Sequence, residues 1–160
     1  MRHISKAILI VVLSISITAC GFHLRGQLPL PETANVIYID ADNTDFTDEL
    51  IDKLQAAGAE IVDDPSAAKA ILQIADEYAE REALTLNTSG RASSYKLFYT
   101  VEYLIANSEQ ELLKEGILEE QSQYSFESGQ AVLQETEESE LLEEMYEELA
   151  IRMVRQFSFL

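Results

Sequence analysis

The residues able to do covalent or acid–base chemistry are few and unevenly placed. The chain has 160 residues with one cysteine, two histidines and 29 aspartates and glutamates. The cysteine is Cys20, and His23 is the one histidine beyond the apolar N-terminal segment. A hydrolytic triad needs a histidine held by an acid beside its nucleophile, and a histidine-rich metal site needs several such residues; one histidine near the N-terminus supplies neither. The six glycines are scattered, so no glycine-rich phosphate loop forms, and a single cysteine allows no disulfide and no paired-cysteine metal motif. Carboxylates remain. Adjacent acids such as Glu137 and Glu138, or Glu143 and Glu144, arise readily in so acidic a chain and read as a solvated helix face. A hydrolase working with two carboxylates needs them to converge across about 5 to 10 Å, which a periodic run does not favour. The run from Glu135 to Glu148 offers oxygens to a divalent cation, but calcium sites gather ligands from a converging loop, whereas acids along a helix diverge. No catalytic residue, cofactor or metal ligand is assigned.

Cys20 reads as a point of attachment. Arg2 and Lys6 precede Ala7 to Ile17, which is apolar except for Ser14 and Ser16. At 1.5 Å per residue this run covers about half of a roughly 30 Å hydrocarbon core, so it has the outline of a signal peptide and not of a membrane span. Ile17-Thr18-Ala19-Cys20 resembles the bacterial lipobox. That resemblance implies cleavage before Cys20 and a diacylglycerol on its sulfur; one acyl chain anchors marginally, while two or more hold a protein to a bilayer. A small buried core cysteine is the alternative, but this residue falls at the cut site and outside any periodic element. In Gram-negative lipoproteins an aspartate after the cysteine usually means inner-membrane retention, so Gly21 points to the outer membrane. Residues 1–19 are thus expected to be removed, 20–33 to form a lipidated N-terminus and tether, and 34–160 to form a single domain. Loss of Arg2 and Lys6 takes the 11 basic residues to 9 against 29 acidic ones, a formal charge of −20. Nucleic acid is excluded as a partner on that balance.

The elements that must position any site follow from periodicity. Pro29, Pro31 and Gly26 lie in the tether, and Val36-Ile37-Tyr38-Ile39 is a β-branched and aromatic run that predicts a first strand. Phe46, Leu50, Leu54 and Ala57 recur at helical spacing, with Asn43 or Asp45 to cap the start and Gly58 past the end. Glu60-Ile61-Val62 suggests a brief extended piece, and Ala67 to Ala70 a single turn. From Ile71 the period becomes two, with Leu72, Ile74, Tyr78, Leu84 and Leu86 against Gln73, Glu77, Arg81 and Thr85. Asn87-Thr88-Ser89-Gly90 supplies turn chemistry, after which Tyr95, Leu97, Tyr99, Val101, Tyr103 and Ile105 alternate with Ser94, Lys96, Thr100 and Glu102. Such arms far exceed the usual strand of about six residues, so the hairpin must bend or project. Leu112 to Phe126 predicts a further strand with a solvated second half, and Leu142, Met145, Leu149, Met153 and Phe157 mark a long C-terminal helix with acids crowding its start. The expected fold class is α+β, a two-layer sandwich with a four-stranded, largely antiparallel sheet and two helices packed on one face. Its other face would be open and carry Tyr78, Phe98, Tyr124 and Phe126, which a partner could cover.

The projecting turn also gathers scarce positive charge. Arg91 and Lys96 lie near it, with Arg81 further down the hairpin, and local cations can grip phosphate despite a negative total; ordinary solubilising charge is the equal alternative. Finally, the phrase Cys20-Gly21-Phe22-His23-Leu24-Arg25-Gly26 directly after the lipobox, with the later order of strand, helix, long strands around a Gly-Arg turn, and terminal helix, resembles the lipopolysaccharide-assembly lipoprotein family LptE (RlpB) over essentially the whole chain beyond residue 19. The resemblance implies an outer-membrane lipoprotein, not an enzyme, that plugs a large β-barrel of the LptD type, helps it assemble and helps deliver lipopolysaccharide to the outer leaflet. It also implies lipopolysaccharide contact through basic residues at the hairpin end, matched in location by Arg91 and Lys96, although a charge of −20 would repel lipid A phosphates everywhere else. A generic outer-membrane lipoprotein adaptor for another envelope protein would share the anchor and fold without needing the Gly21 to Gly26 phrase.

Overall fold

The computed structural model describes residues 30–125 and 131–160. Strand β1 (Val36–Asp40) is followed by helix α1 (Asp45–Ala56), strand β2 (Glu60–Ile61), a single 3-10 turn at Pro65–Ala67, strands β3 (Ala70–Leu86), β4 (Ala92–Asn107) and β5 (Leu112–Ser125), and helix α2 (Ala131–Phe157). The sheet order is β2-β1-β3-β4-β5. β1 runs parallel to both β2 and β3, whereas β3, β4 and β5 form an antiparallel meander. The α+β class holds, but the sheet is five-stranded and mixed. The two residues of β2 are too few to show a pattern, and what makes them a strand is backbone pairing in register with Val36 and Ile37.

Local chemistry explains the boundaries. Thr44 caps α1, its Oγ1 accepting from the Thr47 amide at 3.2 Å, in place of the expected Asn43 or Asp45. Gly58, just past the helix, has φ 95°, a left-handed conformation that side chains resist. The turn expected over Ala67 to Ala70 is displaced: Asp64 caps Pro65–Ala67, and Ala70 already pairs with Ile37. Both hairpins of the meander close on an asparagine. Asn87 Oδ1 accepts from the amides of Ser89 and Arg91, with Gly90 at φ 74°; Asn107 Oδ1 accepts from those of Glu109 and Glu111, with Gln110 at φ 62°. Helix α2 starts with no acid in its first turn, so its acids begin at Glu135 and do not crowd its start.

A β-bulge in β3 decides which side chains face which layer. Ile74 stands opposite Tyr103 and Asp76 opposite Glu102, leaving Ala75 as the extra residue. Before the bulge Leu72 and Ile74 face the helices; after it Glu77, Ala79 and Arg81 do, while Tyr78, Glu80 and Glu82 turn to the open side. The uninterrupted alternation that groups Leu72, Ile74 and Tyr78 on one face is therefore broken at Ala75. Both helices cover the same face. Phe46 of α1 and Tyr146 of α2 pack with Tyr99 of β4, ring centroids 5.9 and 4.7 Å from Tyr99, and Leu50, Leu54, Leu149, Met153 and Phe157 are wholly buried over Ile37, Leu72, Val101 and Ile105. At about 1.5 to 3 kcal/mol per buried large apolar side chain, this single layer is the main source of stability. Packing reaches back to Leu30, which lies against the core, and the carbonyl of Glu32 accepts from Lys69 Nζ. Tyr124, expected on the open face, is instead buried on the helix side; Phe126 lies outside the described residues.

Candidate functional site

Among the described residues, the end of the β3–β4 hairpin is the longest stretch without acids. From Ala83 to Val101 the sequence contains no aspartate or glutamate, and neither does the adjoining stretch of β5 from Gln121 to Ser125. Arg91 is exposed and leaves the turn in a backbone fixed at both ends, its amide donating to Asn87 Oδ1 and its carbonyl accepting from the Asn87 amide. Leu84 and Leu86 stand close by at 46% and 66% exposure, an unusual loss of apolar burial. Thr85 hydroxyl bonds to Ser93 and Ser94 across the hairpin hold the tip together below them. A surface with one guanidinium, several hydroxyls and two bare leucines offers charge-assisted hydrogen bonds to phosphate and apolar contact to a lipid chain.

The three hairpin cations have separate positions and tasks. Lys96 lies five residues along β4 from Arg91, about 16 Å of extended chain, on the open face opposite Glu82 and Gln123, with its ammonium 4.7 Å from the Phe98 ring centroid. It is half-buried and is not part of the turn. Arg81 faces the other way. Its guanidinium is 2.9 Å from Glu138 Oε2 on α2 and 4.6 Å from the Tyr95 centroid, and Tyr124 donates its hydroxyl to the same Glu138 oxygen. Arg81 is thereby committed to a clasp between the sheet and the second turn of α2. Sequence reasoning missed this clasp because the two partners are 57 residues apart and the bulge at Ala75 inverts the face on which Arg81 was expected.

The groove between α1 and α2, about 350 Å3, is lined by Asp45, Asp48, Glu49, Asp52, Glu143 and Tyr146. Among the described residues no group of three or more histidine, cysteine, aspartate or glutamate side chains converges as a metal site. The run from Glu135 to Glu148 lies along α2, where Glu138 and Glu147 are spent on Arg81 and Lys53. No helix among the described residues is long and apolar enough to cross a membrane.

Comparison with known proteins turns this arrangement into a family assignment. The family model for LptE, described as lipopolysaccharide-assembly, matches residues 33–157. The chain belongs to the LptE family. Solved structures share its fold: an uncharacterized lipoprotein B from Nitrosomonas europaea (26% identity, TM-score 0.72, covering 86% of this chain and 90% of that one), the rare lipoprotein B from Shewanella oneidensis (22%, 0.67, 76% and 92%) and a minor lipoprotein from Acinetobacter baumannii (21%, 0.66, 81% and 93%). The LptE match begins at residue 33 and so takes in the clasp, the acid-free tip and both helices. Cys20 and the phrase Gly21, Phe22, His23, Leu24, Arg25 and Gly26 precede it and lie outside the described residues. Within the LptE fold the structure separates the two expected contact residues, with Arg91 at the tip and Lys96 on the open sheet face.

Proposed function

We propose that this LptE-family chain is an outer-membrane lipoprotein that plugs an LptD-type β-barrel, assists its assembly and helps deliver lipopolysaccharide to the outer leaflet. In this reading residues 1–19 are removed, Cys20 carries the acyl chains that hold the protein on the periplasmic side, residues 20–33 tether it, and residues 34–160 form the plug. The observation that carries the reading is the match of residues 33–157 to the lipopolysaccharide-assembly family directly behind a lipobox ending in Cys20. The geometry supports it in two ways. A sheet with one bare face suits insertion into a lumen that covers it, and the acid-free tip exposes Arg91, Leu84 and Leu86 at the same hairpin end, a charged and apolar surface. Lipopolysaccharide combines phosphates with acyl chains, which are the two kinds of group such a surface takes. No residue of the chain is assigned a catalytic role.

The test is isolation from the native host. With a C-terminal tag and mild detergent, outer membranes are expected to yield the protein together with a large β-barrel in about equal amount. Recovery of the protein alone, or with a different envelope protein, would remove the plug reading and favour a general adaptor.

A further inference from the structure

The two sides of the sheet treat charge differently. The ion pairs among the described residues, Lys53 with Glu49 and Glu147, Arg81 with Glu138, and Arg152 with Glu120, belong to the helix-covered side. On the open side of the meander, register places Asp76, Glu80, Glu82, Glu102, Glu115 and Glu119, and among the described residues none of these carboxylates is ion-paired. Lys96 is the one cation that register places among them, and its ammonium lies over Phe98.

Amid these acids the open face holds a depression of about 280 Å3, lined by Ala75, Glu102, Leu104, Glu115 and Ile117 over the paired residues Tyr103 and Gly116. The bulge adds Ala75 to one side, and the floor is strand backbone, because Tyr103 turns its ring to the helix side and its partner Gly116 has no side chain. Leu104 and Ile117 form apolar walls, Ile117 being 63% exposed and neighbouring Leu113 48%. Glu102 pairs in register with Ile117 and Glu115 with Leu104, so the two carboxylates stand at diagonal corners.

Any protein that covers the apolar centre also dehydrates Glu102 and Glu115. A purely apolar partner would bury two unpaired charges, at a cost of several kcal/mol. A long cationic side chain removes that penalty, because its aliphatic stem packs on the apolar walls while its head reaches the carboxylates. We propose that the depression over the Tyr103–Gly116 pair receives a lysine or arginine side chain of the protein that covers the open sheet face. The inference rests on the barrel reading above for the identity of that protein.

The experiment co-expresses the full lipoprotein with a tagged LptD-type barrel and measures how much lipoprotein comes down with it in mild detergent. Glu102→Lys with Glu115→Lys is compared with a reversal of equal charge on the exposed face of α2, Glu144→Lys with Glu148→Lys. The expected result is at least a tenfold loss for the sheet-face pair and less than twofold for the helix pair, with melting of the isolated proteins unchanged. Should the sheet-face reversal fail to fold, Glu102→Gln with Glu115→Gln is read in its place. Its recovery is expected to fall below wild type and to lose the salt dependence that wild type shows between about 0.1 and 0.5 M. Wild-type recovery by the sheet-face variants, or an equal loss from the helix pair, overturns the inference and leaves the barrel reading standing. If wild type itself brings down no barrel, both fall together.

Discussion

Gly116 shows how much one missing side chain can specify. A Cβ built there meets the Tyr103 hydroxyl at 2.9 Å and two of its ring carbons at 3.2 Å, so the phenol occupies the space that any other residue would need. Tyr103 is 4% exposed and cannot swing into water without uncovering the core. Gly116→Ala is therefore expected to destabilise the fold by about 1 to 3 kcal/mol, the range for overpacking, read as a lower denaturation midpoint. Tyr103→Phe in the same chain removes the closest contact and should return part of that loss. Absence of any rescue would mean that strand conformation, and not the ring, is what requires glycine. Such a close approach is the usual meaning of a glycine inside a strand. Nothing in the sequence says which residue approaches, because that depends on the register of two strands.

Among the elements, β4 was legible and β3 was not. The alternation from Tyr95 to Ile105 runs without interruption, so its helix-facing residues and the opposite placing of Lys96 could be read directly. In β3 only pairing with β4 reveals that the strand changes phase at Ala75, with further register shifts between Ala83 and Leu86 near the tip. Tyr124 misled for a different reason: Gln121, Ser122, Gln123 and Ser125 make its surroundings look solvated, but α2 covers it and Glu138 accepts a hydrogen bond from its hydroxyl. The α1–β4–α2 junction carries a prediction about pH. Burial foremost, then the Glu77 carboxylate that accepts its hydroxyl, pushes the Tyr99 phenol well above the usual range; burial also raises Tyr146 and Tyr103. An unfolded tyrosine ionises near pH 10. Above that pH the unfolded chain releases protons that the folded one keeps, so stability is intact below about pH 10 and falls as the pH rises further. Denaturant midpoints should be level up to about pH 9 and drop beyond 10. Tyr99→Phe should cost about 1 to 2 kcal/mol at neutral pH through the lost hydrogen bond to a charged group, while making the alkaline drop shallower. An unchanged alkaline drop would show that Tyr99 does not govern it.

For the molecule as a whole, charge distribution matters more than charge. A formal charge of −18 would repel an anionic lipid, yet the acids stop at Glu82 on one arm and resume at Glu102 on the other, and the tip extends beyond them by several residues. At physiological salt a charge is screened within about 8 Å, so Arg91 acts largely on its own surroundings. Arg91→Asp is expected to weaken lipopolysaccharide binding by purified protein roughly tenfold or more, as the loss of a charge-assisted phosphate contact implies. Lys96→Asp, placed on the sheet face and not at the tip, should weaken it less. Equal effects from the two would mean that lipopolysaccharide lies along the open face, not across the tip. The same long-range organisation hangs on a single exposed alanine. Because strand residues alternate strictly, pairing β3 straight through Ala75 with no bulge would carry Tyr78, Glu80 and Glu82 beneath the helices and expel Glu77 and Arg81, dissolving the clasp on α2 and the Tyr99 contact together. Ala75 lines a shallow hollow and touches little, so many residue types would serve there. What cannot vary is that this residue stays out of the ladder: at this point the fold constrains the pairing of the chain and leaves its chemistry free.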